Sequence, residues 1–161
     1  MYDCTHQINK LRSIKPGSVV RLGEDRFKIT SSIQLSAPTL PPAALHEATS
    51  QAGTTRWFWI SQAPNNNWNV ECWLKQSYDH IDPSLPRVEQ NGHSSMLERR
   101  YAPRQDISYH YSHNGMTGVF STIYYHRVLG DGAQIVFGRF DNQPWTRFDG
   151  YNIHMMGLII E

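Results

Sequence analysis

The sequence predicts a mainly β protein: a single antiparallel β-barrel or a strongly curved sheet, carrying two or three short helices, with a mixed α+β arrangement as the alternative. Three observations carry this reading. Aromatic residues make up 12% of the chain, including five Trp and eight Tyr, and such side chains suit pleated, half-buried surfaces. Short runs of alternating apolar and polar residues recur between clusters of Gly, Pro, Asn and Asp. Two hairpin dipeptides, Asn114-Gly115 and Asp131-Gly132, stand between alternating runs in the last third, and type I′ turns favour such pairs because both central residues need positive φ. The 161 residues suit one domain, 1–161, large enough to bury a core without disulfides or a metal.

Taken in order, Cys4, Ile8 and Leu11 recur at helical spacing after Asp3, a good N-cap, so residues 4–14 predict a short helix that Pro16-Gly17 stops. Residues 18–22 and 26–30 alternate around Gly23-Glu24-Asp25 and predict a hairpin. Residues 36–53 read as irregular, broken by Pro38, Pro41 and Pro42, with one or two helical turns over Ala43–Ala48 started by Pro42. Residues 54–60 form a strand with apolar residues on both faces, and residues 68–74 form its partner across a loop at 63–67. Residues 76–94 have loop chemistry. Ser95-Met96-Leu97-Glu98 fits a capping box and predicts a helix to about Tyr101. A three-stranded meander follows over 106–112, 117–128 and 134–140, and a last strand over 151–160 closes the chain.

The two turns set a register for the meander. Centring the first on Asn114-Gly115 places Tyr109 opposite Phe120 and Tyr111 opposite Gly118. Centring the second on Asp131-Gly132 places Tyr124 opposite Arg139 and His126 opposite Phe137. One face then carries Tyr109, Tyr111, His113, Tyr124, His126 and Arg139 among apolar residues. It is either a core with snorkelling edges or a concave aromatic site with convergent polar groups. These six residues are the candidate ligand-binding set. Trp57 and Trp59, on the two-faced strand, are candidate interface residues for a partner or a homodimer, or else central core.

Composition narrows the function. Fifteen basic and 14 acidic residues leave a net charge of +1, which does not favour a nucleic-acid partner. The N-terminus shows no signal-peptide pattern, and the longest apolar run, Met155–Ile160, is too short to cross a bilayer; with two cysteines, the expected location is cytoplasmic, with no membrane partner. No cofactor-binding motif is present. Of the eight histidines, none stands in a high-specificity metal spacing, so no metal ligand is assigned; the loop Asp79, His80, Asp82, Glu89 and His93 is the weak candidate for a histidine-rich metal protein. A metal-independent nuclease or phosphodiesterase site is the catalytic alternative. There His126 would move a proton and Arg139 would stabilise phosphate charge, with Tyr124 beside them. The leading expectation is a non-catalytic binding domain for a protein partner or a small ligand, using the aromatic sheet face.

Overall fold

The computed structural model describes residues 5–38, 40–62, 68–76, 87–90, 93–99, 106–127 and 134–161. Helix α1 (Thr5–Arg12) comes first, with Ile8 and Leu11 buried as their spacing requires. Eleven strands follow in chain order: β1 (Val19–Leu22), β2 (Asp25–Ala37), β3 (Leu40–Ser50), β4 (Thr55–Gln62), β5 (Trp68–Gln76), β6 (Arg87–Gln90), β7 (His93–Arg99), β8 (Asp106–His113), β9 (Met116–Arg127), β10 (Gln134–Phe140) and β11 (Thr146–Asn152). After a 3-10 turn at Met155–Gly157 comes β12 (Leu158–Ile160).

Eight of these strands close into an antiparallel barrel. Two four-stranded meanders build it, β2-β3-β4-β5 and β8-β9-β10-β11. They join edge to edge where β5 pairs with β11 and β2 pairs with β8. Closure leaves the ring itself without free edges. The long strands β2 and β9 each serve two partners along one side. β2 pairs with β1 over Asp25–Lys28 and with β8 over Gln34–Ser36. β9 pairs with β8 over its first part and with β7 over Tyr125–Arg127. Strands β12 and β6 extend the sheet beyond β1 and β7.

Because side chains alternate along each strand, the wall separates two cores. Inside the ring, Leu35, Leu45, Trp59, Trp73, Tyr109, Phe120, Val136 and Phe148 pack together. Outside it, α1 covers the first meander, setting Ile8, Leu11 and Ile14 against Ile29, Ala48, Phe58, Ile60, Val70 and Cys72. Strand β4 therefore has apolar residues on both faces because both are covered.

Three sequence expectations give way. Ala43–Ala48 is not helical but lies within β3, paired on both edges by β2 and β4. Its alanines suit a wall covered on both faces, and Pro41 and Pro42 fall at an irregularity of the β2–β3 ladder, where a missing N–H is tolerated. Residues 95–98, expected to start a helix to about Tyr101, lie within β7, paired to β6 and β9. Sheet pairing overrides the capping-box pattern there. The segment 151–160 divides into the end of β11, the 3-10 turn and β12, while Thr146–Asn152 supplies the strand that locks β10 to β5.

The first half of the meander register holds residue for residue: His113 pairs with Met116, Tyr111 with Gly118 and Tyr109 with Phe120. Asn114 and Gly115 have φ of 51° and 78°, as a type I′ turn requires. The second half shifts by three residues. Tyr124 pairs with Val136, His126 with Gln134 and Arg139 with Ser121. An odd shift exchanges the faces of β10 relative to β9. Val136 joins Phe120 in the inner core, whereas Ile135 and Phe137 form a separate outer cluster with Ile123 and Trp145. The turn at Asp131-Gly132 lies outside the described residues.

Candidate functional site: the aromatic mouth of the barrel

Within the ring the aromatic side chains form a continuous stack. The Trp59 and Trp73 rings lie nearly parallel, 5.3 Å apart between centroids. Tyr109 meets Trp59 edge-on at 5.4 Å, and Phe148 touches both Trp73 at 5.2 Å and Trp57 at 5.3 Å. Phe120 and Phe140 stand 4.7 Å apart. Glycines make room for these rings. An added Cβ at Gly150 would stand 3.0 Å from Trp73 Cδ1, and one at Gly118 would collide with the Tyr111 ring and the Asp141 carboxylate. Glu71 is fully buried in the wall, where it accepts hydrogen bonds from Trp73 Nε1 and Asn69 Nδ2.

At one end the stack stops short of filling the ring. A cavity of about 100 Å³ lies there, lined by Ile33, Leu45, Trp57, Phe120, Phe140 and Phe148 with the polar residues Ser31, Glu47, Gln143 and Thr146. The pairing explains its make-up. Ser31 on β2 is the partner of Glu47 on β3, and Glu47 is the partner of Trp57 on β4. These three positions form one row across adjacent strands on the face shared with Leu45, which packs in the inner core. Opposite them, β10 and β11 contribute Phe140 and Phe148, and the connection 141–145 forms the rim.

The candidate ligand-binding residues divide. Tyr109 is 5% exposed and belongs to the inner core, so it offers no open surface. Tyr111 is partly buried, and its ring packs edge-on to Phe140. Its hydroxyl donates to Asp141 at 2.7 Å, which raises the phenol above its ordinary value. The backbone N–H of Val119 and that same hydroxyl hold the Asp141 carboxyl below the usual range. His113 flanks the β8–β9 turn with Asn114 beside its Nε2. The side chains of Tyr124 and His126 lie outside the description. Arg139 borders the mouth, but its guanidinium is drawn over the Trp145 ring, 4.4 Å from the centroid, and its Nε is buried without a hydrogen-bond partner.

The catalytic alternative required Tyr124 opposite Arg139 and His126 on the same face. The observed pairing sets Arg139 beside Ser121 instead, and the odd shift puts positions 126 and 139 on opposite faces of the wall. Trp57 and Trp59, the expected interface residues, are taken up within the chain. Trp59 is 2% exposed inside the barrel and Trp57 lines the cavity. Of the metal-loop residues, 79–82 lie outside the described residues, and among the described residues no group of three or more His, Cys, Asp or Glu could hold a metal ion. The residues missed from sequence are Ser31, Glu47, Phe140 and Phe148. Phe140 and Phe148 flank a turn-rich segment containing Asp141 and Pro144, which is the one local signal that could have placed them at a barrel end.

Two other buried groups are structural. His46 is fully buried on the outer side of β3, with Nδ1 2.8 Å from Ser32 Oγ and Nε2 2.7 Å from the Leu11 carbonyl. Since a carbonyl can only accept, Nε2 carries the proton and Nδ1 accepts from Ser32. Burial lowers its pKa to about 4, against a smaller opposing effect of the Leu11 bond. Cys72 is a free, buried thiol pushed up by burial. Its cross-strand neighbour Tyr151 is pushed up to about 12, by burial first and then by its hydrogen bond to Cys72. A raised thiol is a weak nucleophile, so Cys72 belongs with the outer core.

Comparison of the chain with protein-family models, with curated proteins and with solved structures finds no match. Among the described residues, no helix is long and apolar enough to cross a membrane.

Proposed function

We propose that this chain is a non-catalytic binding domain that takes a small, partly apolar ligand, or the tip of a larger one, in the mouth of its barrel. The observation that carries the reading is the cavity of about 100 Å³, walled by Trp57, Phe120, Phe140 and Phe148 and edged by Ser31, Glu47 and Gln143. Apolar walls with a few convergent polar groups are the usual composition of a ligand site, and barrel mouths are a usual place for one. The volume limits the guest. An apolar cavity of ~150 Å³ holds a benzene-sized molecule, so at about 100 Å³ this one takes a smaller body or part of a larger one. A small ligand is favoured over a protein partner because the large aromatics expected to make an interface are turned inward. The near-balanced charge disfavours nucleic acid, and the free thiol of Cys72 fits the reducing cytoplasm as the location.

The test is a screen of small aromatic and aliphatic compounds by thermal shift and by Trp emission. A ligand of the mouth should raise the unfolding temperature and change the emission of Trp57. It should lose most of its affinity in Ser31→Leu, which fills the cavity from β2. Binding that survives Ser31→Leu unchanged would remove the mouth as the site.

A further inference from the structure

We infer that the barrel mouth selects a small organic cation, with Glu47 as the counter-charge and the surrounding rings as the cage. This rests on the mouth being a ligand site at all and adds the chemical class of the guest. The carboxylate stands on the inward row of β3, between Ser31 and Trp57, and lines the cavity. Its backbone carbonyl accepts from the Thr30 hydroxyl, and no described residue gives its carboxylate a hydrogen bond or an ion pair. Three other acidic groups among the described residues are committed. Asp141 is taken by Tyr111 and Val119, Asp149 by Arg147, and Glu71 by Trp73 and Asn69. Arg139 borders the same mouth, yet its guanidinium already lies over Trp145, on the strand face opposite the inner core. Glu47 is the one carboxylate among the described residues that line the cavity.

The apolar part of the lining adds to this preference. Trp57 meets Phe148 edge-on, and Phe140 is tilted against Phe120, so the rings meet at angles around the space instead of lying in one plane. Ring faces attract cations electrostatically, and Trp does so most strongly. A carboxylate among aromatic lining residues suits a substituted ammonium group, whose charge is spread over methyl surface and loses little hydration on entry. A bare, strongly hydrated metal ion would find only one carboxylate here, too few oxygen ligands to replace its water.

The experiment compares choline with its neutral carbon isostere, in which a tert-butyl group replaces trimethylammonium. Affinities are read by calorimetry and Trp emission for the wild type, Glu47→Gln and Ser31→Leu. Choline should bind roughly tenfold tighter than the isostere, a preference of the size that ring faces and one carboxylate supply. Glu47→Gln should bring the two ligands close to parity, and added salt should weaken choline but not the isostere. If Glu47→Gln does not fold, the salt dependence in the wild type decides. Equal or tighter binding of the isostere overturns the cation preference and leaves an apolar ligand site standing. A choline preference unchanged in Glu47→Gln also overturns the assignment. If neither ligand binds and the wider screen finds none that Ser31→Leu excludes, both the cation preference and the ligand site fail.

Discussion

His46 shows how one residue ties helix to barrel. The last carbonyls of a helix have no partner within it. Here the Leu11 carbonyl accepts from His46 Nε2, and the Arg12 carbonyl accepts from Gln34 Nε2 at 2.7 Å. The bond to Leu11 holds a neutral ring under the helix, and this has a pH consequence. The unfolded chain takes up a proton on this residue near pH 6.5, whereas the folded chain resists until about 4. Between those values the unfolded state binds more protons, so stability is full above 6.5 and falls as pH drops towards 4. The loss from this one residue reaches about 3 kcal/mol at most. Urea midpoints measured from pH 7.5 to 4.5 should fall for the wild type and fall less for His46→Gln, which starts lower. Equal slopes in the two proteins would show that other groups govern the acid limb. Gly150 is a second residue of this kind. Trp73 lies across it, so Gly150→Ala should cost about 1–3 kcal/mol by overpacking, read by chemical denaturation.

Among the elements, α1 and β3 depend on each other. A helix of eight residues is marginal alone in water. It persists because Ile8 and Leu11 are buried against the outer face of the wall. Leu11→Ala should therefore cost about 2–5 kcal/mol, the range for a fully buried leucine, and expose the His46 side of β3. The checks are a denaturation midpoint and faster amide exchange in residues 5–12. A midpoint within experimental error of the wild type would mean that the helix does not hold the outer core. Strand β3 also shows why some elements were illegible locally. Its Leu-Pro-Pro-Ala-Ala-Leu start has helical composition and breaker residues, and only neighbours on both edges and both faces make it a strand. The β8–β9 hairpin is the opposite case: Asn114-Gly115 demanded its own backbone, and strand alternation followed from it.

Across the whole molecule, the two seams that close the ring are unequal. β5 and β11 pair over six residues from Gln76 to Glu71, whereas β2 and β8 pair over three, at Gln34, Leu35 and Ser36. The short seam carries fewer cross-strand bonds, so the ring should open there first. Hydrogen exchange is expected to be faster for the amides of residues 34–36 and 110–112 than for those of 71–76 and 147–152. The reverse order would place the weak point elsewhere. The mouth cavity is lined from both meanders, and Ser31 precedes this seam by three residues along β2, with Glu47 paired beside it on β3. Ligand in the mouth would slow exchange at 31–36 by linkage.

The β class, the first hairpin, the β4–β5 pair, α1 and the Asn114 turn were all readable in the chain, because each is set by periodicity or by a backbone that only certain residues adopt. The candidate site was readable only as composition: many aromatics, with polar residues among them. Which of them met depended on a three-residue shift between β9 and β10, and no local pattern sets a register across a longer connection. That shift removed Arg139 from the face of Tyr109 and brought Val136 inward beside Phe120. Closure of the ring did the rest. It turned Trp59 and Tyr109 into core and left Glu47 and Trp57 at an opening, because the inner volume of a closed barrel is shared by strands far apart in sequence.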